Sequence, residues 1–295
     1  MLSILIPIYN YNVVNFISEL HKQAISEKID FEIIAADDAS DIVYQNINKK
    51  ITKLQFVKYI QLQENIGRSK IRNFLAEQAE YNNLLFADCD MEISDNTFIK
   101  KYTDNLKQYS VICGGINYSE TKPKNPELLL RWYYGQNREK IESKIRNTHA
   151  HTSFMSSNFL IRKKIFSSIK FNEKIKTYGH EDTLFGIELK RKNIPIMHIN
   201  NNLIHKGLEN SKSFIKKTEN GIDNLIIILK EYKYPELINQ IKLLKIAKKL
   251  YLFRNSVIYI FIFLKPLILK NLKSKKPKLF IFDFYKLSVY YIKIK

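Results

Sequence analysis

The sequence predicts an α/β fold: a mostly parallel, twisted sheet flanked by helices, followed by a helical C-terminal extension that is both basic and apolar. Three observations lead there. Short apolar runs alternate with helical periodicity through the first 90 residues. Acidic residues stand where several of those runs stop, the end at which parallel sheets bind ligands. Charge is uneven: of a net +19, residues 241–295 hold +13, from 14 Lys and Arg against Asp283 alone.

Each element has a local reason. In Leu2–Asn10, Leu2, Ile4, Ile6 and Ile8 share one parity and Pro7 stands near the end, which reads as a strand. Val13, Phe16, Ile17, Leu20 and Ala24 then recur at helical spacing, with Asn12 as the expected cap. Phe31–Ala36 is a second strand that runs into the turn-forming Asp37-Asp38-Ala39-Ser40. Leu54–Gln61 is a third strand. Gly67 opens a helix with Ile71, Leu75 and Ala79 on one face, and Asn82–Ala87 is the next strand. Further on, Tyr109–Tyr118, Thr152–Lys163 and Asn193–Asn200 read as strands, and His180–Lys192 as a helix. Helical patterns run from Gly221 to Tyr251. Ser256–Leu264 is nearly all apolar and reads as too short to cross a bilayer. The expected division is 1–220 as one domain, with 1–108 and 109–220 as halves, and 221–295 as the extension.

Composition excludes a disordered chain: 45% of residues are hydrophobic, and Tyr and Phe number 18 each. Cys89 and Cys113 read as buried reduced thiols. No secretory leader is expected, since the first apolar run is short and lacks a basic start.

The candidate chemistry is acidic. Asp88 and Asp90, two apart at a strand end, can face one hard cation, Mn²⁺ or Mg²⁺, or can be solvated turn acids. Asp37 and Asp38 can accept hydrogen bonds from a base or ribose, or can close a turn. Arg68, Lys70 and Arg72 follow Gly67 and suit a diphosphate, although no phosphate-binding glycine loop of the usual kinds is present. Glu181 and Asp182 suit the first turn of a helix, and a carboxylate there can also deprotonate a hydroxyl. His205 can be a ligand for Mn²⁺ or a packing residue. Trp132 can stack on a sugar face or sit in a core.

Taken in order, "SILIPIYN", "FEIIAADDAS", "ENIGRSKIRN", "FADCDMEI" and "YGHEDTLFG" resemble the family 2 glycosyltransferases of bacterial cell-surface glycans, inverting enzymes of the GT-A fold. The resemblance covers about residues 1 to 210. It implies that Pro7, Tyr9 and Asn10 line a nucleotide pocket and that Asp37 or Asp38 meets the uracil and ribose. Gly67, Arg72 and Asn73 match a further motif. Asp88 and Asp90 match the metal-binding acids, with His205 completing the site. Glu181 and Asp182 match the acidic pair, Asp182 being the general base. His180 replaces a residue that is often small in the family, and with Trp132 it falls on the acceptor side. The implied reaction moves a sugar from a nucleotide diphosphate-sugar, UDP-linked, to a hydroxyl of a glycan or lipid-linked glycan. The implied setting is cytoplasmic, peripheral on the inner face of the plasma membrane, with 241–295 on an anionic membrane surface and no nucleic acid as partner. Two rivals remain: a non-catalytic sugar- or nucleic-acid-binding module, and a sugar nucleotidyltransferase, whose glycine-rich, lysine-containing N-terminal motif "IPIYNYN" lacks.

Overall fold

The computed structural model describes residues 1–175, 179–232 and 234–295. The N-terminal alternation is as the periodicities require: β1 (Leu2–Ile8), α1 (Val14–Ser26), β2 (Phe31–Asp37), α2 (Ile42–Asn48), β3 (Val57–Gln61), α3 (Arg68–Gln78) and β4 (Asn83–Ala87). Then come β5 (Met91–Glu92), α4 (Phe98–Asn105), β6 (Val111–Cys113), β7 (Ile116–Tyr118), α5 (Leu129–Tyr134) and α6 (Ser143–Thr148). β8 (Asn158–Arg162), α7 (Lys163–Ile169), α8 (Glu181–Arg191), β9 (Met197–His198) and β10 (Leu203–His205) follow. The chain ends in α9 (Ser211–Glu231), α10 (Pro235–Gln240), α11 (Lys242–Lys249), α12 (Arg254–Leu272) and α13 (Leu279–Lys293).

These elements form two compact units: 1–118, 140–175 and 181–207 in the first, and 119–139, 179–180, 208–232 and 234–295 in the second. Residues 119–139 group with the C-terminal helices because Tyr134 of α5 packs on Phe214 of α9 and Phe282 of α13, with ring centroids 5.3 and 5.8 Å away.

In the first unit a seven-stranded sheet runs in the order β3-β2-β1-β4-β8-β6-β9. β1 pairs in parallel with β2 and β4, and β2 with β3. β8 is antiparallel to both β4 and β6, and β9 is parallel to β6. Every residue of β2 is buried, as a strand covered on both faces must be. A smaller sheet, β5-β10-β7, stands beside it. An aromatic core holds the helices down: Phe86 stacks on Phe159 at 4.9 Å and Phe171 on Phe185 of α8 at 4.5 Å.

Several sequence expectations are corrected here. Asn12 accepts from the N–H of Val14 at 3.1 Å and closes the turn ahead of α1, but it does not cap the helix. The run Tyr109–Tyr118 is two strands in two sheets. Gly114 and Gly115 break it, because a Cβ on Gly114 would sit 2.4 Å from Asn158 and Gly115 has φ +92°. Thr152–Ser157 is a turn with a short unstructured stretch, and the strand begins only at Asn158. Asn193–Asn200 contributes only β9, beside which Arg146 donates to the carbonyls of Ile141, Cys113, Gly114 and Ile199 and to His198 Nδ1.

In the second unit α9 begins ten residues before Gly221, at Ser211, where the Asn210 side chain accepts from the N–H of Ser213. Gly179 packs against the middle of this helix: at φ +112°, a Cβ on Gly179 would lie 2.8 Å from Gly221 Cα. The apolar run after Ser256 does not stop at Leu264. Helix α12 continues through Lys265 and Pro266 to Leu272, giving 19 residues, and is long and apolar enough for a membrane span by length and composition.

Candidate active site

The candidate site lies in the first unit, where β4 ends. The Asp88 N–H donates to Ser157 O, and three residues on, β5 pairs with β10, setting Met91 opposite His205. That register brings His205 Nε2 to 3.2 Å from Asp90 Oδ2. His205 Nδ1 is buried without a partner, and the Tyr118 ring lies 5.4 Å away. The backbone closes over the pair: Lys206 N–H donates to Asp90 O, and a Cβ on Gly207 would fall 2.3 Å from Asp90 Oδ2. Burial works to raise the Asp90 carboxyl, but the His205 imidazole and the Arg68 charge outweigh it and hold the group below the usual carboxylate range.

Asp88 faces elsewhere. Arg72, fully buried on α3, donates to Asp88 Oδ1 at 2.6 Å, and Arg68 reaches Oδ2 at 3.4 Å. The Arg72 guanidinium also lies over the Phe171 ring. Arg68 Nε donates to Glu181 Oε1 at 3.1 Å, linking the end of β4 to the start of α8. Among the described residues no group of three His, Cys, Asp or Glu is arranged to hold a metal, and the expected set Asp88, Asp90 and His205 is divided between two partners. Asp90 and His205 alone are brought together, because the arginines of α3 claim Asp88. Arg72, expected at a diphosphate, is instead buried beneath an acid.

Asp182 sits in the first turn of α8, whose Phe185 is fixed in the aromatic core. Its Oδ1 is buried without a hydrogen-bond partner. Burial, then the charge of neighbouring Glu181, pushes its carboxyl up to about 6, against the pull of Arg72 and of hydrogen bonds from Ser156. Such a group takes up a proton near neutrality.

The nucleotide-side candidates mostly serve the scaffold. Asp37 is fully buried, accepting from Ser40 N–H at 2.7 Å and from Tyr59 O–H at 2.6 Å. Asp38 accepts from the N–H groups of Ile66 and Gly67, so it pins the loop before α3, where Gly67 has φ +84°. Burial raises the Asp38 carboxyl, partly offset by those two donors. Both acids are thus occupied within the fold, in keeping with the turn reading of the sequence. Asn10, at φ +49°, donates its N–H to Ser40 Oγ and accepts from Asp41 N–H, tying two loops together. Pro7 is half-buried opposite Ala36, and only Tyr9, 54% exposed, presents an open ring. Asn73 bonds both the N–H and the carbonyl of Phe171. Trp132 and His180 belong to the second unit, where the indole N–H donates to Ser119 O.

Sequence reasoning missed two residues. Ser156, buried beside Asp182 and lowering its carboxyl's proton affinity, carries no sequence signal. Gly207 closes on Asp90, and only its place two residues after His205 hints at it.

A mostly parallel sheet flanked by helices, with acids at a strand end, is the architecture of the GT-A fold. The chain belongs to Glycosyl transferase family 2, whose family model matches residues 3–170. It is 30% identical over 199 residues to poly(ribitol-phosphate) beta-N-acetylglucosaminyltransferase TarS of Staphylococcus aureus strain MW2, covering 63% of this chain and 32% of TarS. The chain thus spans about a third of that relative. Among solved structures, it resembles the mannosyltransferase PcManGT of Pyrobaculum calidifontis in complex with GDP-Man and Mn²⁺, with TM-score 0.56, 10% identity and coverage of 80% and 66% of the two chains. It also resembles S. aureus TarS 1–349 in complex with UDP-GlcNAc, with TM-score 0.53, 17% identity and coverage of 100% and 92%.

Proposed function

We propose that this glycosyltransferase moves a sugar, with inversion, from a UDP-linked donor to a hydroxyl of a glycan or lipid-linked glycan. Asp182 is the general base. The observation that carries this reading is the buried, unpartnered Asp182 oxygen, with its carboxyl pushed up to about 6. It accepts the proton of the acceptor hydroxyl as that oxygen attacks the anomeric carbon. Glu181, held by Arg68, adds negative charge beside it and keeps its proton affinity high.

The Asp90 and His205 pair fits a divalent cation: one carboxylate oxygen and one imidazole nitrogen, 3.2 Å apart, beneath a glycine that leaves space. Bound there, Mn²⁺ or Mg²⁺ would stabilise the charge left on the diphosphate. Arg72 keeps Asp88 ionised and oriented, and the nucleotide binds within residues 1–108, where Tyr9 offers a face for stacking. The enzyme works on the cytoplasmic side of a membrane, its basic segment 241–295 drawn to anionic lipid.

The test is UDP release from a panel of UDP-sugars with Mn²⁺, starting from UDP-GlcNAc, with and without glycan acceptors. Asp90→Ala is expected to abolish both release and metal-dependent nucleotide binding. Asp182→Ala is expected to keep nucleotide binding and lose transfer. Normal transfer by both variants would refute the assignment.

A further inference from the structure

Over most of its surface, helix α12 of the second unit has no partner. Its inward stripe of Phe261, Ile268 and Leu272 is buried, and the Phe261 ring lies 5.5 Å from Tyr285 of α13. Elsewhere Tyr259, Ile262, Phe263 and Leu267 face solvent, led by Leu252, which is 91% exposed, and followed across the turn by Phe280. Within Tyr251–Leu272, mean hydropathy over 18 residues reaches 1.7, yet only 11% of that window is buried. A helix apolar all round is ordinarily enclosed by protein or by lipid. Protein does not enclose this one among the described residues.

Charge decides between the possible occupants. Residues 242–278 contain eleven Lys and Arg and no Asp or Glu. All eleven side chains are exposed, and none is ion-paired among the described residues. A second copy of this chain would set the same cations against themselves, which opposes association. A layer of anionic headgroups gives the apolar face a hydrocarbon boundary and the cations a counter-charge at once.

We propose that α12 docks on the surface of a bilayer bearing anionic lipid and lies in the plane of the interface. Crossing is disfavoured by the helix itself. It carries Lys265 and Pro266 past its midpoint, and a charge deep in hydrocarbon is strongly opposed. It is also bound to α13, whose Asp283 pairs with Lys286 and with Arg138, and whose Tyr285 donates to Glu219 of α9. Inserting α12 upright would draw those charged pairs toward the hydrocarbon. Lying flat, it seats Phe263 and Leu267 at the acyl boundary while Lys270, Lys273, Lys275 and Lys276 reach headgroups. The inference deepens the membrane-surface reading above by naming the docking face and its orientation.

The test uses the full chain and vesicles of phosphatidylcholine, with or without phosphatidylglycerol. Co-sedimentation is expected only with phosphatidylglycerol, weakening by about tenfold or more in Phe263→Glu/Leu267→Glu and in Lys273→Glu/Lys275→Glu/Lys276→Glu. In a Trp132→Phe background, Phe263→Trp should be quenched by lipids brominated near the headgroup end of the acyl chain. Phe263, Leu267, Lys273, Lys275 and Lys276 are exposed, so circular dichroism should show the fold retained. Undiminished binding by the Phe263 and Leu267 variant, or no binding by the parent, overturns the proposal. A doubled mass in light scattering that this variant abolishes assigns the face to a second copy instead, and resistance to alkaline extraction assigns α12 to a span. UDP release from soluble donor is read on the Phe263→Glu/Leu267→Glu and Lys273→Glu/Lys275→Glu/Lys276→Glu variants, which keep Trp132. Lost docking with intact release separates the two readings, and absent release with intact docking counts against the catalytic one alone.

Discussion

Replacing Asp182 by Asn should move activity and stability in opposite directions. The wild-type carboxyl is pushed from 3.8 up to about 6, mainly by burial and then by Glu181. A base must be ionised to act, so kcat/KM should fall about tenfold per pH unit below about 6 and level off above it. Asn cannot accept the proton, and transfer should drop by about 10²- to 10⁴-fold with nucleotide affinity retained. Stability runs the other way. Between pH 3.8 and about 6 the folded state binds more protons at this site than the unfolded state does, so wild-type stability is lost as pH rises through that window. At neutral pH the cost of holding this carboxylate ionised in the fold is about 3 kcal/mol at most. Asp182→Asn should recover part of that in urea unfolding at pH 7.5 and almost none at pH 4. The paired assay is a pH profile of UDP release with acceptor and urea titrations of both proteins at the two pH values. An acid limb near 4 in the wild type, or an unchanged limb in the variant, would refute the base assignment. A variant that is less stable at pH 7.5 would refute the burial argument beneath it.

Three further outcomes are expected. Gly207→Ala puts a methyl 2.3 Å from Asp90 Oδ2 and 2.8 Å from Asp90 Cβ, so Mn²⁺-dependent nucleotide binding by calorimetry should weaken about tenfold or more, and the melting temperature should fall as Asp90 is displaced. Arg72→Met leaves Asp88 without its 2.6 Å partner in a largely buried setting and should cost about 3–5 kcal/mol in urea unfolding. His198, held neutral between Arg146 and the Ala150 carbonyl, has its imidazole pushed down to about 4, chiefly by burial. The unfolded state therefore binds the extra proton between pH 6.5 and about 4, and His198→Gln should flatten the loss of stability as pH falls through that range.

Much of the fold was legible because parity and helical spacing are local properties. Leu2–Ile8, Phe31–Asp37 and Arg68–Gln78 could be read nearly to the residue. The errors arose where a distant contact overrides the local pattern. Gly114 and Gly115 look like a permissive spot in one strand, but the approach of Asn158 and Asn201 sends the two halves to different sheets. Ser256–Leu264 looked short because Lys265 and Pro266 are read as terminators, yet proline costs a helix only one bond and a local clash, which the turns on either side tolerate here.

The site shows the same division. The acids of the family pattern are found at the expected ends of β4 and α8, but sequence offers no way to see which oxygen is already occupied. Asp37, Asp38 and Asp88 looked like ligands because they are carboxylates at strand ends. In the fold their oxygens already accept from Tyr59, from two loop N–H groups and from Arg72. What remains chemically open are the Asp90–His205 pair and Asp182, and both are open for a physical reason. Asp182 Oδ1 is buried with no partner in the fold, and His205 turns Nε2 to within 3.2 Å of Asp90 Oδ2 beside Gly207. An unmet buried group costs stability, and stabilising proteins by removing such groups is ordinarily easy. Side-chain atoms of Ser69, Arg72, Ser157 and Asn202 in the same unit are buried without a partner as well, so what marks Asp182 and His205 out is their place in the family pattern, where a proton and a cation would arrive during turnover.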